Sequence, residues 1–445
     1  MPWELIIWCI SVVLFLALLS QWYWEPRAPF WLRKAKESPL RWYLVGFPIT
    51  VLRMRFTWRR LCQTADLSVT RRPRYTAVNR DVMVKGTPIR PLAPRLGIPR
   101  VMHTGFTVRV HLHPGQTPAQ FIASADAFVH AWRIHSIRIV STKRGEVLMI
   151  ATARDPLADS TTWRKFPAPR LMAANVGRTG DGSAWVVDFR KVPHWLITGA
   201  TQSGKSTLLA ALVTELGAQP VTLLGIDCKG GMELSLFEKR LSALATDRTE
   251  AMALLQKVLT NLEQRMTDCR AAGVRSIWEL DDDDRPTPVV IVVDEIAELY
   301  LAGAALAGRK EAVECSTLLL RIAQLGAALG VHLVVAGQRF GSDLGPGATA
   351  LRAQLGGRIC HRVNDEATAE MTLGDLSPDA VVVAQAISED EKGVAVTTIG
   401  GQWTRARSTL ITPEQAREFS ASTSHLAPAF AESGSESGSG PGGSE

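Results

Sequence analysis

Cysteine is scarce and scattered in this chain of 445 residues, with six in all and no C-x-x-C pair. This pattern disfavours a zinc ribbon, a redox motif and a disulfide framework, and it indicates free thiols in a reducing compartment. Apolar residues make up 46% of the sequence and charged residues 21%, a globular composition that excludes a wholly disordered or collagen-like chain. The length predicts about three domain-sized units.

Acidic residues are few near the N-terminus. Residues 25–100 hold 17 basic and 4 acidic side chains, a net charge of +13, although the whole chain carries only +7. We assign residues 26–100 to a basic connector beside a membrane, because anionic lipids attract Lys and Arg. Contact of this stretch with DNA is the alternative.

Charge is absent from the stretch between Leu5 and Trp24. A helix of about 20 residues spans the ~30 Å hydrocarbon core of a bilayer, so residues 1–25 are predicted to form a transmembrane anchor. A cleaved signal peptide is disfavoured because no basic residue precedes the run and no small-x-small site follows it. By the positive-inside rule, the basic residues that follow place the rest of the chain in the cytoplasm.

A second apolar run, residues 42–52, is too short to span a bilayer and contains a glycine and a proline. We expect an interfacial segment there and a single membrane pass, with a second span beginning near Pro39 as the alternative. The predicted location is therefore the cell membrane, with the soluble domains on its cytoplasmic side.

Three patterns divide the soluble part. Period-2 alternation mixed with helical spacing over residues 101–175 predicts a small α+β domain. Apolar strand patterns and long helices follow over residues 176–412, which form the largest predicted domain. Residues 413–445 are assigned to a disordered tail because of their Ser, Gly, Glu and Pro content.

The sequence Gly-Ala-Thr-Gln-Ser-Gly-Lys-Ser matches the phosphate-loop pattern G-x-x-x-x-G-K-[ST] without exception. A predicted strand precedes it and a predicted helix follows it, which is the context that the motif requires. The loop backbone is expected to wrap the phosphates of ATP, Lys205 to neutralise the β and γ phosphates, and the Ser206 hydroxyl to bind Mg²⁺. The predicted nucleotide-binding residues are Gly199, Ala200, Thr201, Gln202, Ser203, Gly204, Lys205 and Ser206.

A run of apolar residues, Val289–Val293, predicts a strand that is buried on both faces of a parallel sheet. Asp294 at its end is expected to hold Mg²⁺ through water, and Glu295 to polarise the attacking water. The alternative, strand-end carboxylates without a role, is disfavoured by the phosphate loop earlier in the chain. A further predicted strand ends just before Gln338, whose side chain is predicted to sense the γ-phosphate by a hydrogen bond.

Together these motifs resemble the motor domain of the FtsK/SpoIIIE family of DNA translocases. Residues 226–234, Ile-Asp-Cys-Lys-Gly-Gly-Met-Glu-Leu, are similar to the family's DPKGGVEL segment, with Cys228 in place of the proline. Residues 331–339, Val-His-Leu-Val-Val-Ala-Gly-Gln-Arg, resemble its GIHLILATQR strand, with Gly337 in place of threonine. The resemblance covers residues 100–412 and implies an α/β fold with a RecA-like P-loop ATPase core.

The resemblance also implies a homo-hexameric ring that moves along double-stranded DNA by ATP hydrolysis. In such a ring an arginine of the neighbouring subunit completes each site, and Arg358 and Arg362 are the candidates here. The loop from Gly341 to Ala348 is a candidate for DNA contact, with an ordinary surface turn as the alternative.

The sequence departs from chromosome-segregating members of the family, which carry four membrane helices and a C-terminal winged helix. With one predicted span and a short C-terminal segment, it looks more like the transfer proteins of actinobacterial conjugative or integrative elements. We therefore predict a membrane-anchored ATPase that moves plasmid or integrative-element DNA between cells, with directionality supplied by other transfer proteins. The alternatives are a chromosome-segregation motor, a protein-exporting ATPase of the type VII secretion kind, which the single phosphate loop disfavours, and a non-hydrolysing scaffold.

Overall fold

The computed structural model describes residues 42–69, 91–102, 104–158, 170–300, 306–341, 344–374, 378–399 and 402–430. The predicted anchor at residues 1–25, residues 26–41 and 70–90 of the basic connector, and residues 431–445 of the predicted tail lie outside the described residues. The chain divides into two compact units, Met1–Pro156 and Leu157–Glu445.

The first unit packs helices against one face of an antiparallel sheet. Its elements are α1 (Phe47–Thr64), β1 (Arg95–Leu96), β2 (Arg100–Val101), β3 (Gly105–His111), α2 (Pro118–Ala123), α3 (Ala125–Trp132), β4 (Ser136–Lys143) and β5 (Glu146–Thr152). The strand order is β1-β3-β5-β4, and β2 also pairs with β3. Phe106, Val108 and Val110 alternate along β3 and are buried, as the period of 2 requires. The aromatic rings of Trp58 and Phe128 stack on each other in this core, with their centroids 5.8 Å apart.

Residues 42–69 belong to this unit, which corrects their assignment to a connector. A π-helical turn at Trp42–Gly46 leads into α1, and Met54, Trp58 and Cys62, spaced one helical turn apart, are buried in the core. The arginines between these buried positions are exposed, and they gave the segment the composition of a linker although one face of the helix is apolar. The sequence prediction therefore read a folded helix as a linker.

The predicted interfacial segment, residues 42–52, is also part of this folded unit. Trp42 is buried, and its indole Nε1 donates to the carbonyl oxygen of Met102 at 3.0 Å. Leu44 and Leu52 are exposed on the other side of the segment, at 71% and 57%. The segment thus has one face in the core of the domain and one apolar face open to its surroundings.

The second unit is built on a sheet of ten strands in the order β10-β9-β11-β12-β8-β13-β14-β15-β6-β7. Neighbours from β10 to β13 run parallel, and the remaining four strands form an antiparallel extension. The elements are β6 (Ala173–Thr179), β7 (Ala184–Asp188), β8 (His194–Thr198), α4 (Lys205–Gly217), β9 (Thr222–Ile226), β10 (Ala243–Ala245), α5 (Arg248–Ala271), β11 (Val289–Val293), α6 (Ile296–Tyr300), α7 (Leu306–Leu329), β12 (Val331–Gly337), α8 (Ala348–Gln354), β13 (Gly357–His361), α9 (Glu366–Leu373), α10 (Pro378–Gln385), β14 (Val394–Ile399), β15 (Gln402–Ser408) and α11 (Pro413–Ser422).

Helices cover both faces of the parallel part of the sheet, as the apolar runs predict. In β11, Val289, Ile291 and Val293 face the core beneath α5 and α7, whereas Val290 and Val292 face the core beneath α4. A strand between two helical layers has no polar side, which is why all five residues of β11 are apolar and buried.

The border between the two units corrects the predicted division at residues 175 and 176. The first unit ends at Pro156, and β6 belongs to the large sheet, where it pairs with β7 and with β15. The partner strand β15 is more than two hundred residues away in the sequence, so no local pattern reveals this pairing.

The predicted tail begins with an ordered helix, which is a second correction. Thr412 caps α11, Pro413 occupies its first turn, and the side chain of Gln415 completes a capping box. Ala416 is buried against α4 and its surroundings, and Phe419 packs beside it. The polar composition of the downstream sequence concealed this short amphipathic helix.

Within the described residues, Lys310–Leu329 is the single helix that is long and apolar enough to cross a membrane. Half of it is buried in the protein, and Leu319 and Ile322 lie in the core beneath the sheet. We therefore interpret this part of α7 as a core helix of the second unit.

Candidate functional site

The phosphate-loop sequence forms a tight loop between β8 and α4. All five residues of β8 are buried, and α4 begins at Lys205. Gln202 and Gly204 have φ angles of 59° and 112°, so the loop turns twice through left-handed conformations. The first amide groups of a helix have no intrahelical acceptor, and they therefore favour an anion at this point.

Two glycines make the loop possible. A Cβ atom on Gly204 would lie 2.4 Å from the Cα and N atoms of Gly393. A Cβ atom on Gly199 would lie 2.5 Å from the Ser203 hydroxyl and 2.7 Å from Cβ of His361. Neither position has room for a side chain, because the loop packs against the chain segments around β13 and β14.

Backbone hydrogen bonds hold the loop in this position. The Ala200 amide donates to the carbonyl oxygen of Arg362 at 2.8 Å, and the Gly393 amide donates to the carbonyl oxygen of Ser203 at 3.0 Å. The Gly199 amide donates to the carbonyl oxygen of Gly337, which links the loop to the end of β12. The loop is thus held by hydrogen bonds to the chain segments around β12, β13 and β14.

The carboxyl ends of β8, β12 and β11 lie at one edge of the sheet, because the three strands are parallel and β12 lies between the other two. This edge is where open α/β sheets bind their ligands. It brings together three regions that the sequence predicted separately, namely the phosphate loop, Gln338, and the pair Asp294 and Glu295.

Lys205 contacts the phosphate loop and is influenced by the charges of the two carboxylates. Its Nζ donates to the carbonyl oxygens of Gly199 at 2.5 Å and Ala200 at 3.3 Å. Burial lowers the pKa of Lys205, and the charges of Glu295 and Asp294 act in the opposite direction. The ammonium group is therefore within electrostatic range of both carboxylates while it folds back on the loop.

Asp294 is buried, at 7% exposed, and other carboxylates lie near it. Burial raises its pKa to about 6, and the charges of Asp227 and Glu233 add to this shift. Asp227 follows β9 and is only 1% exposed, and its carboxylate accepts hydrogen bonds from the amides of Lys229, Glu233 and Leu234. Neighbouring negative charges of this kind favour the binding of a cation.

Glu295 has both of its carboxylate oxygens occupied. Oε1 accepts a hydrogen bond from the Gln338 amide at 3.2 Å, and Oε2 forms an ion pair with Lys229 Nζ at 3.3 Å. The contact to Gln338 comes from its backbone, and its side chain is exposed at the edge of the site. That this side chain senses a γ-phosphate stays a prediction.

The donor set fits a magnesium ion. A site of this kind takes one or two carboxylates and completes its shell with phosphate oxygens and water. Ser206 in the first turn of α4 and Asp294 supply such donors, and the burial of Asp294 together with the charges of Asp227 and Glu233, which raise its pKa, suits a bound cation. No group of three or more His, Cys, Asp or Glu side chains in the described part of the chain has the arrangement of a metal site made by protein alone.

Sequence reasoning missed the contributions of Asp227, Lys229 and Gly393. The first two lie in the segment that the family resemblance singled out, but nothing local to that segment shows that it meets Glu295. Gly393 carried no signal, because its role depends on contact with Gly204 on a distant loop.

The two arginines proposed to act on a neighbouring subunit lie on β13 and directly after it. Arg358 is on β13, is 8% exposed, and donates to the carbonyl oxygen of Arg352. Arg362 lies beside the phosphate loop of its own chain and pairs with Glu389 at 3.5 Å. A trans role for either side chain stays a prediction, and burial makes Arg358 the poorer candidate.

A phosphate loop after a buried parallel strand, with paired carboxylates at the same sheet edge, defines a P-loop ATPase type of α/β domain. The FtsK/SpoIIIE family matches residues 157–285 and 280–342, and the family described as Actinomycete conjugal transfer protein N-terminal domain matches residues 30–153. The chain is 41% identical to transfer protein TraSA of Streptomyces ambofaciens over 332 residues, which are 71% of this chain and 78% of that protein. The chain therefore belongs to the FtsK/SpoIIIE family, on its actinomycete conjugal-transfer branch.

Other relatives agree with this placement. A sporulation regulatory protein of Streptomyces azureus is 45% identical over 252 residues, covering 56% of this chain and 81% of that protein. The DNA translocase FtsK of Sporosarcina ureae is 30% identical over 236 residues, covering 47% of this chain and 29% of that protein. The solved structure of the pCW3 conjugation coupling protein TcpA, a monomer form with ATPgS, shares the fold with a TM-score of 0.52 and 20% identity, covering 74% of this chain and 92% of that one.

Proposed function

We propose that this protein is a membrane-anchored, ATP-driven translocase of double-stranded DNA that serves the transfer of plasmid or integrative-element DNA between cells. One observation supports the proposal: the phosphate loop and the pair Asp294 and Glu295 follow parallel strands at one sheet edge, within electrostatic range of Lys205. Membership of the FtsK/SpoIIIE family supports DNA as the substrate, and similarity to transfer protein TraSA supports a role in DNA transfer between cells.

The loop backbone and the first turn of α4 bind the phosphates of ATP, and Lys205 moves from the loop carbonyls to the β and γ phosphates. Ser206 and Asp294 would hold a magnesium ion, and the bound ion would supply positive charge to the phosphates. Glu295 accepts the proton of the water whose oxygen attacks the γ-phosphorus, and ADP leaves with the bridging oxygen.

A cleft beside the first turns of α4 is a candidate for the adenine base. It is lined by Thr207, Ala210, Phe237 and Ile411, among others, and borders Ser206 of the phosphate loop. An apolar cleft that adjoins the phosphate site suits a flat aromatic ring. The ordered start of the predicted tail forms one wall of this cleft, through Pro413 and Ala416.

The family resemblance supports a homo-hexameric ring that encloses the DNA. A translocase has to hold DNA of any sequence, so its contacts go mainly to phosphates and weaken as salt rises. The sequence from Leu5 to Trp24 supports membrane anchoring, and other transfer proteins would select the DNA that is moved.

The test is the steady-state ATPase rate of the full chain in detergent micelles, with and without duplex DNA. We expect duplex DNA to raise the rate and deoxynucleoside monophosphates to have no effect. If only a peptide substrate raises the rate, the protein is a protein-exporting ATPase instead. If ATP binds without turnover, the protein is a nucleotide-binding scaffold.

A further inference from the structure

The segment that follows β9 approaches the candidate site from the side opposite the phosphate loop. Gly230 and Gly231 have φ angles of 77° and 73°, so the chain turns there through a conformation that only glycine adopts easily. The carboxylate of Asp227 fixes the base of the turn through backbone amides on its far side. We call residues 228–232 the glycine turn.

The glycine turn places Lys229 directly against Glu295. The Nζ atom lies 3.3 Å from Oε2, and the two side chains differ in exposure, at 44% for Lys229 and 6% for Glu295. The other oxygen of Glu295 is already engaged by the Gln338 amide. Because both oxygens are held, the Glu295 carboxylate is not free to turn toward a water molecule.

Lys229 stays charged in this position. Burial alone would lower its pKa, but the charge and hydrogen bond of Glu295 and the charge of Asp294 raise it overall. Its ammonium group therefore remains an ion-pair partner at neutral pH. The partly exposed side chain, on a turn with two glycines, is able to leave the site, whereas the buried carboxylate is not.

We infer that Lys229 is a positioning residue that restrains Glu295 in the resting site, and that turnover requires the glycine turn to withdraw it. This inference rests on the proposed function, because it concerns the residue that we assign as the base. The tip of the glycine turn is open to a macromolecular partner, since Met232 is 78% exposed. Engagement of DNA by the ring is the event that withdraws Lys229.

The test compares Lys229→Met and Lys229→Arg with the wild type as full chains. Lys229→Met should raise the ATPase rate without DNA about five-fold or more, with the DNA-stimulated rate and the KM for ATP within about two-fold of wild type. Lys229→Arg keeps the cation and should keep the low rate without DNA. Lys239→Met, the same change at an exposed lysine later in the chain, is the matched control and should leave both rates unchanged.

An unchanged or lower DNA-free rate in Lys229→Met overturns the inference. A loss of both rates would instead make Lys229 a group that acts on the transition state. If the wild type hydrolyses ATP but does not respond to DNA, the translocase proposal fails, and the DNA-free rates still decide whether Lys229 restrains Glu295.

A second measurement tests the ion pair without any turnover. Lys229→Met leaves a buried carboxylate unpaired and should lower the melting temperature. Adding Glu295→Gln should restore most of this loss, because a neutral amide needs no cation beside it. Equal melting temperatures of Lys229→Met with and without Glu295→Gln would show that the pair is not coupled and would overturn the restraint.

Discussion

Lys205 and Glu295 are both engaged by the protein itself in the structure described here. Lys205 donates to carbonyl oxygens of its own loop, and Glu295 is held by Lys229 and by the Gln338 amide. Charged groups in a partly buried site need such partners, because an unpaired buried charge is costly. We expect nucleotide binding to exchange these protein partners for phosphate groups and water.

Replacing Lys205 by Ala should weaken ATP binding about ten-fold or more, because a hydrogen bond to a charged group contributes ~1.5–3 kcal/mol. Turnover should be lost with it. Binding of a fluorescent ATP analogue, measured by titration, checks this prediction. Lys191→Ala, at an exposed lysine on the same unit, should bind as the wild type does. Unchanged affinity in Lys205→Ala would remove the lysine from the phosphate site.

Replacing Glu295 by Gln should leave ATP binding intact and lower the turnover number by about 10²–10⁴-fold, the usual contribution of a general base. The measurement is the ATPase rate at saturating ATP and DNA, together with the affinity for ATP. Glu298→Gln, one helical turn further along in α6, is the control and should keep near wild-type turnover. Turnover at the wild-type rate by Glu295→Gln would end its assignment as the base.

Among the helices and strands, α11 shows that amino-acid composition alone fails to predict a short helix. Its signals are a Thr cap, a proline in the first turn and a capping box, followed by Ala416 on the buried side. These signals occupy only a few residues at the head of a long polar stretch. The helix is nevertheless part of the second unit, since it packs against α4 and forms one wall of the cleft beside α4.

Thr412→Ala should destabilise the second unit by about 1 kcal/mol, the usual value of an N-terminal cap. The Thr412 hydroxyl accepts from the Gln415 amide, and the substitution leaves this amide without its partner. Thr260→Ala, the same substitution in the exposed interior of α5, is the control and should be neutral or slightly stabilising, since Ala has the higher helix propensity. Urea unfolding of both variants and of the wild type measures the difference. An unchanged unfolding midpoint in Thr412→Ala would show that this cap does not contribute to stability.

The whole molecule combines a basic N-terminal region, a folded first unit and an ATPase type of unit in one chain. If six such chains form a ring, each site depends on its neighbours, and one inactive chain affects more than its own share of activity. Independent subunits would instead lose activity in proportion to the inactive fraction.

Mixing wild-type chains with Lys205→Ala chains before assembly should therefore reduce the DNA-stimulated ATPase rate more steeply than dilution does. At equal amounts we expect a rate clearly below about one half of the wild-type value. A mixture of wild-type chains with Lys191→Ala chains is the control and should keep the full rate. A linear decline with the fraction of Lys205→Ala would contradict a ring of interdependent sites.

The sequence by itself determined the parts of this protein whose physics is local. The phosphate loop needs glycines at its turns and a lysine at its end, and a strand buried on both faces needs an unbroken apolar run, so Gly204, Lys205 and Val289–Val293 could be read directly. The tertiary structure decided what depends on distant contacts. The order of the strands brings Glu295 to the phosphate loop, Lys229 reaches Glu295 across a separate turn, and Gly393 meets Gly204 because two segments far apart in the chain share one small space. Such contacts leave no periodic or compositional mark in the sequence, because only the folded chain brings their partners together.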